Sequence, residues 1–254
     1  MIVIKTLDEI KLMRRANRIV AEVLSALRDM VRPGVTTADL EEEAEKRLEK
    51  SGAEAAFKGY PGAKGPFPSV LCASVNEEVV HGIPTRRRVL EEGDIISLDF
   101  GAIWKGYYGD AAVTVPVGKV IPEAEKLIRV TEEALIKAVE QVKEGNRLDA
   151  IGKAVQTHVE SNGFSVVRQF VGHGIGRRMH EDPQIPNFVE LAAPRPRLKE
   201  GMVLAIEPMV NAGGWAVRVM DDGWTAVTED GSLSAHFEHS VAVSADGPEV
   251  LSAL

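Results

Sequence analysis

Two acidic residues stand beside largely apolar segments that the sequence predicts as strands. Asp99 follows the run Ile95–Leu98, and Glu207 follows the run Val203–Ile206. A carboxylate in such a segment is costly to bury unless it is paired or bound to a cation. In both runs the residue two positions before the acid is small, which leaves space on that face of the strand. The two strand ends are therefore candidate ligand-binding positions.

Each of these strands has a second acid on a returning segment. Asp110 lies beyond a Lys105-Gly106 turn, and Glu238 lies in the segment 234–241. Exposed strand-end acids are the alternative interpretation for any one of them, but that interpretation does not account for four acids in register. Four converging carboxylates repel one another unless cations neutralise them, which two divalent ions can do. The pattern predicts a carboxylate-rich metal site.

Several histidines could complete such a site. Glycines flank His173 in Gly-His-Gly-Ile-Gly, so its ring could approach a metal or a substrate without crowding. His180 follows after a short interval, and His81 lies in a turn sequence, where surface or core hydrogen bonding remains an open alternative. Oxygen ligands with one imidazole favour Mn, Fe, Co or Zn as divalent ions over an all-thiolate zinc site. His236 is predicted to share a strand face with Glu238.

The elements that must position these residues follow from periodicity. Apolar residues at helical spacing predict one helix over Leu7–Met30, and Thr36-Thr37 caps a second that runs to Ser51-Gly52. Strands are predicted near 69–75, 94–103 and 107–117, the last two joined as a hairpin.

The second half of the chain repeats this plan. Val31–Gly52 aligns without a gap with Val142–Gly163, and Glu92–Asp99 matches Glu200–Glu207. Chance similarity of helical segments is the alternative, but two matches in the same order favour a duplicated half. We expect an α+β fold in which helices back one pseudo-twofold sheet. Residues 1–254 are predicted to form a single domain, with halves of about 1–118 and 119–254.

Composition narrows the class of protein. The 254 residues are 44% hydrophobic and 27% charged, enough for a sizeable core. A formal charge of −8 argues against a dedicated nucleic-acid or anionic-membrane binder. Cys72 is the single cysteine of the chain, so no internal disulfide forms and a reducing compartment is expected. With neither a signal peptide nor an apolar run of roughly 18 residues, the sequence predicts a soluble cytoplasmic protein.

Taken in order, the motifs resemble those of type I methionine aminopeptidases, over nearly the whole chain. The residues that carry the resemblance are Ser74-Val75-Asn76-Glu77, His81-Gly82-Ile83-Pro84, Asp99 with Asp110, Gly172-His173-Gly174-Ile175-Gly176, His180-Glu181-Asp182-Pro183, Glu207-Pro208-Met209 and Phe237-Glu238-His239. The resemblance implies the pita-bread fold, whose halves are related by a pseudo-twofold axis. It also implies a metallo-exopeptidase that removes the initiator methionine from nascent proteins when the second residue is small.

The resemblance assigns a role to each metal-site residue. Asp110 and Glu238 would bridge two divalent ions, His173 and Glu207 would complete one site, and Asp99 would complete the other. A water bridging the two ions would then be acidified and become the nucleophile. Co, Mn, Fe and Zn all remain candidates for the ions, because affinity order and availability decide between them.

Catalytic and pocket residues follow from the same resemblance. Glu207 would shuttle the proton, His180 would stabilise the oxyanion, and His81 would hydrogen-bond the scissile amide. A pocket of soft, polarizable groups would take the methionine thioether, with ordinary core packing as the alternative. Its predicted members are Cys72, Tyr60, Phe67, Met179 and Trp224.

Alternatives remain open at this level. The family often has glutamine where this chain has His236, which would alter hydrogen bonding near the metals. A proline-specific relative on the same fold is the nearest rival, although such enzymes usually carry a large extra N-terminal domain. A non-catalytic binding module of this fold is the other, although such proteins typically lose metal ligands.

The expected partners are the N-termini of nascent polypeptides, with no DNA and no membrane, and the protein is expected to be a monomer. Arg86-Arg87-Arg88 could touch ribosomal RNA, while a solvated turn is the simpler interpretation of that run.

Overall fold

Four helices lie in the part of the chain that the computed structural model describes, residues 1–190, 192 and 194–253. They are α1 (Leu7–Met30), α2 (Thr37–Ser51), α3 (Pro122–Val139) and α4 (Asp149–Ser161). The sequence predicted α1 and the end of α2 at these positions, and both predictions are confirmed.

Reciprocal capping explains where the first two helices begin. The amide of Glu9 donates to the Thr6 hydroxyl at 3.3 Å, and the Thr6 amide donates to the Glu9 carboxylate at 2.9 Å. Thr36 and Asp39 make the same exchange at the start of α2. The α2 helix ends at Ser51 and is capped by Gly52, whose φ of 73° is a left-handed conformation that glycine adopts without strain.

The described residues also form fifteen strands, most of them short. Their bounds are β1 (Glu54–Ala55), β2 (Leu71–Val75), β3 (Glu78–Val80), β4 (Ile95–Trp104), β5 (Tyr107–Pro116), β6 (Ser165–Val166), β7 (Gly172–Gly174), β8 (Glu181–Ile185), β9 (Val203–Ile206), β10 (Met209–Asn211), β11 (Val217–Val219), β12 (Ala226–Thr228), β13 (Ser234–His236), β14 (Glu238–Ser244) and β15 (Gly247–Val250).

A central antiparallel sheet organises the molecule. Its strands run in the order β1-β4-β5-β14-β9-β7-β8, with β2 also paired to β4 and β15 to β14. The β4–β5 hairpin turns at Lys105 (φ 51°) and Gly106 (φ 79°), the pair of positive angles that a tight two-residue hairpin turn requires. The predicted hairpin is therefore confirmed. Two smaller sheets have the orders β13-β10-β6 and β11-β12-β3.

The two faces of the central sheet have different environments. On one face, Ile96, Leu98 and Phe100 of β4 are buried in a core that includes apolar residues of α1 and α2. The α3 helix contacts β5, β9 and β14 in the other part of the sheet. Alternate residues of the same strands point to the opposite face, which carries the acids. The predicted α+β sheet backed by helices is confirmed.

Each of the two repeated segments makes an equivalent backbone hydrogen bond. The Gly93 amide donates to the Val117 carbonyl at 3.0 Å, and the matching Gly201 amide donates to the Val243 carbonyl at 3.0 Å. Both contacts lie at the entrance to a strand that leads to an acid. They agree with a duplicated plan, while the division into halves of one domain stays a prediction.

Two local expectations were wrong. Asp99 lies in the middle of β4, not at its end, because the β4–β5 ladder continues for several residues past it. The segment 234–241 is two strands, β13 and β14, which belong to different sheets. At the junction, the Thr114 hydroxyl forms hydrogen bonds with both backbone groups of His236: it accepts from the amide at 2.8 Å and donates to the carbonyl at 2.7 Å. A side chain thus replaces a neighbouring strand at this residue, which is where the two strands separate.

Within the described ranges, none of the helices combines the length and apolar character needed to cross a bilayer.

Candidate active site

Three acids lie side by side on one face of the central sheet. Ala112 of β5 pairs with Asp99 of β4 on one side and with Glu238 of β14 on the other. Asp110 lies two residues from Ala112 on the same face of β5. The antiparallel ladder thus places three carboxylates on three adjacent strands, all directed to one side.

His173 and Glu207 complete this polar surface. His173 of β7 pairs with Ala205 of β9, and its Nε2 lies 3.6 Å from Oε1 of Glu207. The ligand atoms of Asp110, His173 and Glu238 all lie within 4.8 Å of one another. We call Asp99, Asp110, His173, Glu207 and Glu238 the carboxylate floor. Its residues come from one hairpin, β4–β5, and from three segments distant from it in sequence, all adjacent in the sheet.

The tautomer of His173 follows from its backbone contact. Its Nδ1 lies 3.0 Å from the carbonyl oxygen of Gly174, an acceptor, so Nδ1 carries the proton and donates it. Burial lowers the pKa of His173 to about 4, so the ring is neutral near pH 7. The Nε2 lone pair is therefore free to bind a cation, and the carbonyl fixes the ring orientation.

The carboxylates of the floor lack compensation from the rest of the protein. Oδ1 of Asp99, Oδ1 of Asp110 and Oε1 of Glu238 are buried and have no hydrogen-bond partner among the described residues. Burial raises the pKa of Asp99 to about 7, and burial with mutual repulsion raises the pKa of Asp110 and Glu238 well above the usual range. Such a set of oxygens beside an imidazole nitrogen fits divalent cations, which supply the missing charge.

His180 lies exposed at the edge of the floor. Its Nδ1 is 2.6 Å from the Tyr60 hydroxyl, and its ring centroid is 4.4 Å from that of His173. Partial desolvation lowers the pKa of His180, which favours a neutral ring. The Tyr60 hydroxyl can donate to Nδ1, and in that arrangement the proton of the neutral ring lies on Nε2. With Nδ1 accepting from Tyr60, a neutral His180 can donate a hydrogen bond from Nε2.

His81 has an unusual backbone conformation. Its φ of 61° is positive, which is strained for a residue other than glycine. The backbone beside His81 is anchored, because the Gly82 amide donates to Ser74 Oγ at 3.0 Å. Burial lowers the pKa of His81 to about 4. A neutral imidazole therefore lines the cavity that contains the floor.

Apolar side chains enclose the rest of the cavity, which has a volume of about 140 Å³. We call them the apolar wall; its members are Phe57, Tyr60, Phe67, Met179 and Trp224. The rings of Phe67 and Trp224 meet edge to face with centroids 5.1 Å apart. Cys72 is buried opposite Asp99 on β2, and its burial raises the pKa of the thiol well above its usual value. A protonated thiol is not a nucleophile at neutral pH.

All twelve residues that the sequence singled out line this one cavity. Phe57 lines it too and was missed, because a lone phenylalanine after a helix carries no signal that separates a cavity wall from a core position. His236 is adjacent as well, with its buried Nε2 3.7 Å from Oε2 of Glu207 and no hydrogen-bond partner within the described part of the chain.

Comparisons with known proteins agree with this geometry. The family model described as Metallopeptidase family M24 matches residues 11–245. Methionine aminopeptidase of Clostridium acetobutylicum is 53% identical over 251 residues, covering 99% of this chain and 98% of that protein. Methionine aminopeptidase 1 of Bacillus subtilis is 51% identical over 253 residues, covering 99% of each.

A solved structure extends the agreement to three dimensions. The crystal structure of methionine aminopeptidase from Thermotoga maritima is 48% identical and has a TM-score of 0.95, covering 100% of both chains. The expected pita-bread fold is thereby confirmed. With a family model over most of the chain and relatives similar along its whole length, the chain belongs to metallopeptidase family M24 and groups there with the methionine aminopeptidases.

Proposed function

We propose that this chain removes the N-terminal methionine from polypeptides, with a preference for a small second residue. The observation that carries the proposal is one cavity whose floor is a cluster of carboxylates with a histidine and whose wall is apolar. The floor suits hydrolysis assisted by cations, and the wall suits an unbranched thioether side chain. The relatives named methionine aminopeptidase, about half identical in sequence, support the same reaction.

Divalent ion use follows from the family and the floor, and we propose two ions drawn from Co, Mn, Fe or Zn. Asp110 and Glu238 would be shared between them, with His173 and Glu207 completing one site and Asp99 the other. Divalent ions held by these residues would supply the acidification of water and the polarisation of the scissile carbonyl. The orphaned oxygens of Asp99, Asp110 and Glu238 are the feature of this chain that supports the assignment.

Protein side chains would carry out proton transfer, oxyanion stabilisation and substrate positioning. Glu207 would accept a proton at a carboxylate oxygen and pass it to the leaving amine. His180 would donate from Nε2–H to the developing oxyanion, with the Tyr60 hydroxyl donating to its Nδ1. His81 would hydrogen-bond the scissile amide. The wall, with Cys72, would exclude water from the methionine side chain.

The substrate class is nascent polypeptide N-termini, in the cytoplasm, with the protein acting as a monomer. The basic run 86–88 remains a candidate for transient ribosome contact. Arg86 is exposed and forms an ion pair with Glu42, which also suits the simpler interpretation of a solvated turn.

Peptide turnover tests the proposal. We expect rapid release of methionine from Met-Gly-x, much slower release from Met-Trp-x, and no cleavage of x-Pro peptides. Chelation should abolish turnover, and adding back a divalent ion should restore it. Equal rates on Met-Gly-x and Met-Trp-x would contradict the substrate preference. Full activity in protein shown to be metal-free would contradict the chemistry, and preferential x-Pro cleavage would favour the proline-specific alternative.

A further inference from the structure

A buried ion pair connects the start of the chain to the loop that carries His180. Nζ of Lys5 lies 2.8 Å from Oε2 of Glu181, and each side chain is only 3% exposed. Neither residue lines the cavity. Buried ion pairs are expensive to desolvate and contribute little net stability, so one that is present calls for another explanation.

Glu181 spans the base of that loop. Its backbone pairs with Gly174 where β7 meets β8, and residues 175–180 form the connection between the strands. Its Oε1 accepts hydrogen bonds from the amides of Arg177 at 2.9 Å and Arg178 at 3.2 Å. These amides immediately precede Met179 and His180, one a wall residue and the other the proposed oxyanion donor. The carboxylate thus fixes the backbone that orients both.

Lys5 in turn fixes the carboxylate. Its own amide donates to the Gly201 carbonyl at 2.8 Å, which ties this part of the chain to the turn before β9. Its Nζ also donates to the Val3 carbonyl at 3.2 Å. A Cβ at Gly176 would lie 2.6 Å from Cε of Lys5 and 2.8 Å from Oε1 of Glu181, so the pair packs directly on the loop backbone.

Contacts on the outer side of the loop do not reach the two amides that Glu181 holds. The Arg177 guanidinium stacks 4.5 Å from the Tyr107 ring centroid, and the Tyr107 hydroxyl donates to Glu9 at 2.6 Å. The Tyr108 amide donates to the Gly176 carbonyl at 2.8 Å. These contacts anchor one edge of the loop, which leaves the amides at 177 and 178 to the buried carboxylate.

We propose that Lys5 and Glu181 are positioning residues, which set the orientation of His180 and Met179 through the backbone at 177 and 178. This inference rests on the proposed function, because it gives His180 a part in turnover. Misplacing a reacting group by about 1 Å can cost roughly 10²-fold in rate. A rigid link from the first residues of the chain therefore has a catalytic consequence.

The test replaces Lys5 and compares it with a matched lysine. Lys5→Met removes the ammonium and keeps the length of the side chain. Lys11→Met makes the same change at an exposed lysine, which pairs with Asp8 on α1. The double variant Lys5→Met/Glu181→Gln removes both buried charges and keeps an acceptor oxygen for the two amides. It also guards against a Lys5 variant that folds poorly because Glu181 is left without its cation.

Three quantities are measured on each variant: hydrogen exchange at the amides of 177 and 178, kcat and KM on Met-Gly-x, and metal affinity by calorimetry. For Lys5→Met we expect exchange at the two amides to rise by roughly 10-fold. We expect kcat to fall by roughly 10- to 100-fold with metal affinity unchanged. The double variant should recover part of both losses, and Lys11→Met should match the parent protein.

A lower unfolding midpoint in Lys5→Met, with kcat equal to that of Lys11→Met, would overturn the inference and make the pair structural only. A fall in kcat without faster exchange at 177 and 178 would overturn it as well. If the parent protein fails to release methionine, the proposed function fails. The exchange measurement would still decide whether Lys5 holds the loop.

Discussion

The carboxylate floor and the apolar wall occupy one cavity but are built in different ways. Four of the five floor residues lie within strands of the central sheet, and Glu207 follows β9 directly. The wall residues lie in connections instead: Phe57, Tyr60 and Phe67 between β1 and β2, Met179 between β7 and β8, and Trp224 between β11 and β12. The sheet ladder fixes the groups that must meet with precision, whereas loops shape the surface that recognises the side chain.

The two regions also differ in whether they are complete without a ligand. In the wall, Phe67 and Trp224 pack against each other edge to face without any ligand. The floor, in contrast, keeps buried carboxylate oxygens without partners among the described residues. The wall is therefore preformed by ordinary packing, and the floor depends on cations that the protein must bind. Changes to the floor should alter chemistry and metal binding, while changes to the wall should alter selectivity.

The largest effect is expected from Asp110→Asn, which keeps the shape of a floor residue and removes its charge. Metal affinity should fall by more than the roughly 100-fold that loss of a supporting hydrogen bond costs. Turnover should drop to the level of the chelated enzyme. Calorimetry with turnover assays measures both, and Asp8→Asn on the exposed surface of α1 is the control. Normal metal binding by Asp110→Asn would contradict the assignment of Asp110 as a metal ligand.

His180→Ala should separate chemistry from metal binding. Turnover is expected to fall by roughly 10²- to 10³-fold, the usual cost of losing one oxyanion donor, with metal affinity preserved. His173→Ala should instead weaken one metal site and recover in part at high metal concentration. Metal titration with single-turnover rates on both variants tests the contrast. If His180→Ala loses metal and His173→Ala binds it normally, the two roles are reversed.

The metal-free protein should lose stability as pH rises. Burial raises the pKa of Asp99 to about 7 in the folded protein, against 3.8 in the unfolded chain. The folded state therefore holds this proton more tightly, and its stabilisation is present below about pH 4 and lost as pH rises through about 7. The pKa values of Asp110, Glu207 and Glu238 are also raised, which extends the loss to higher pH.

Buried histidines act in the opposite direction, but in a lower range of pH. The pKa of His81 and that of His173 are lowered to about 4, so their contribution is present above about pH 6.5 and lost only below it. Thermal unfolding above pH 6.5 therefore isolates the carboxylates. With chelator the midpoint should fall as pH rises, less steeply in Asp99→Asn, and with divalent ions it should not fall. Identical slopes with and without ions would contradict this account of the floor.

The smallest effect is expected from Phe57→Leu in the wall. The change keeps most of the packing and opens the cavity slightly. The ratio of kcat/KM for Met-Gly-x against Leu-Gly-x should change by roughly 10-fold at most. Phe100→Leu is a matched control, because Phe100 lies on the opposite face of the sheet and does not line the cavity. An equal change of selectivity in both variants would show that Phe57 acts only through stability.

Local sequence patterns were sufficient to predict the ends of those elements whose capping or turn contacts join residues close in sequence. The capping boxes at Thr6 and Thr36 and the turn at Lys105-Gly106 operate within four residues, and the predicted element ends agree with the structure. The failures came where a distant contact decided the outcome. The strand predicted over 234–241 is divided in two at His236, whose amide and carbonyl form hydrogen bonds with the hydroxyl of Thr114, a residue far away in sequence.

The sequence by itself determined the types of the site residues and their alternation along strands, which is why four acids could be named as a metal site; His173 was added by the family resemblance. Only the tertiary structure decided that Phe57 faces the cavity and that Lys5 reaches Glu181. It alone set the spacing within the floor. Side-chain periodicity is a property of the local backbone, whereas contacts between distant segments depend on how strands pair and where buried charge can be compensated.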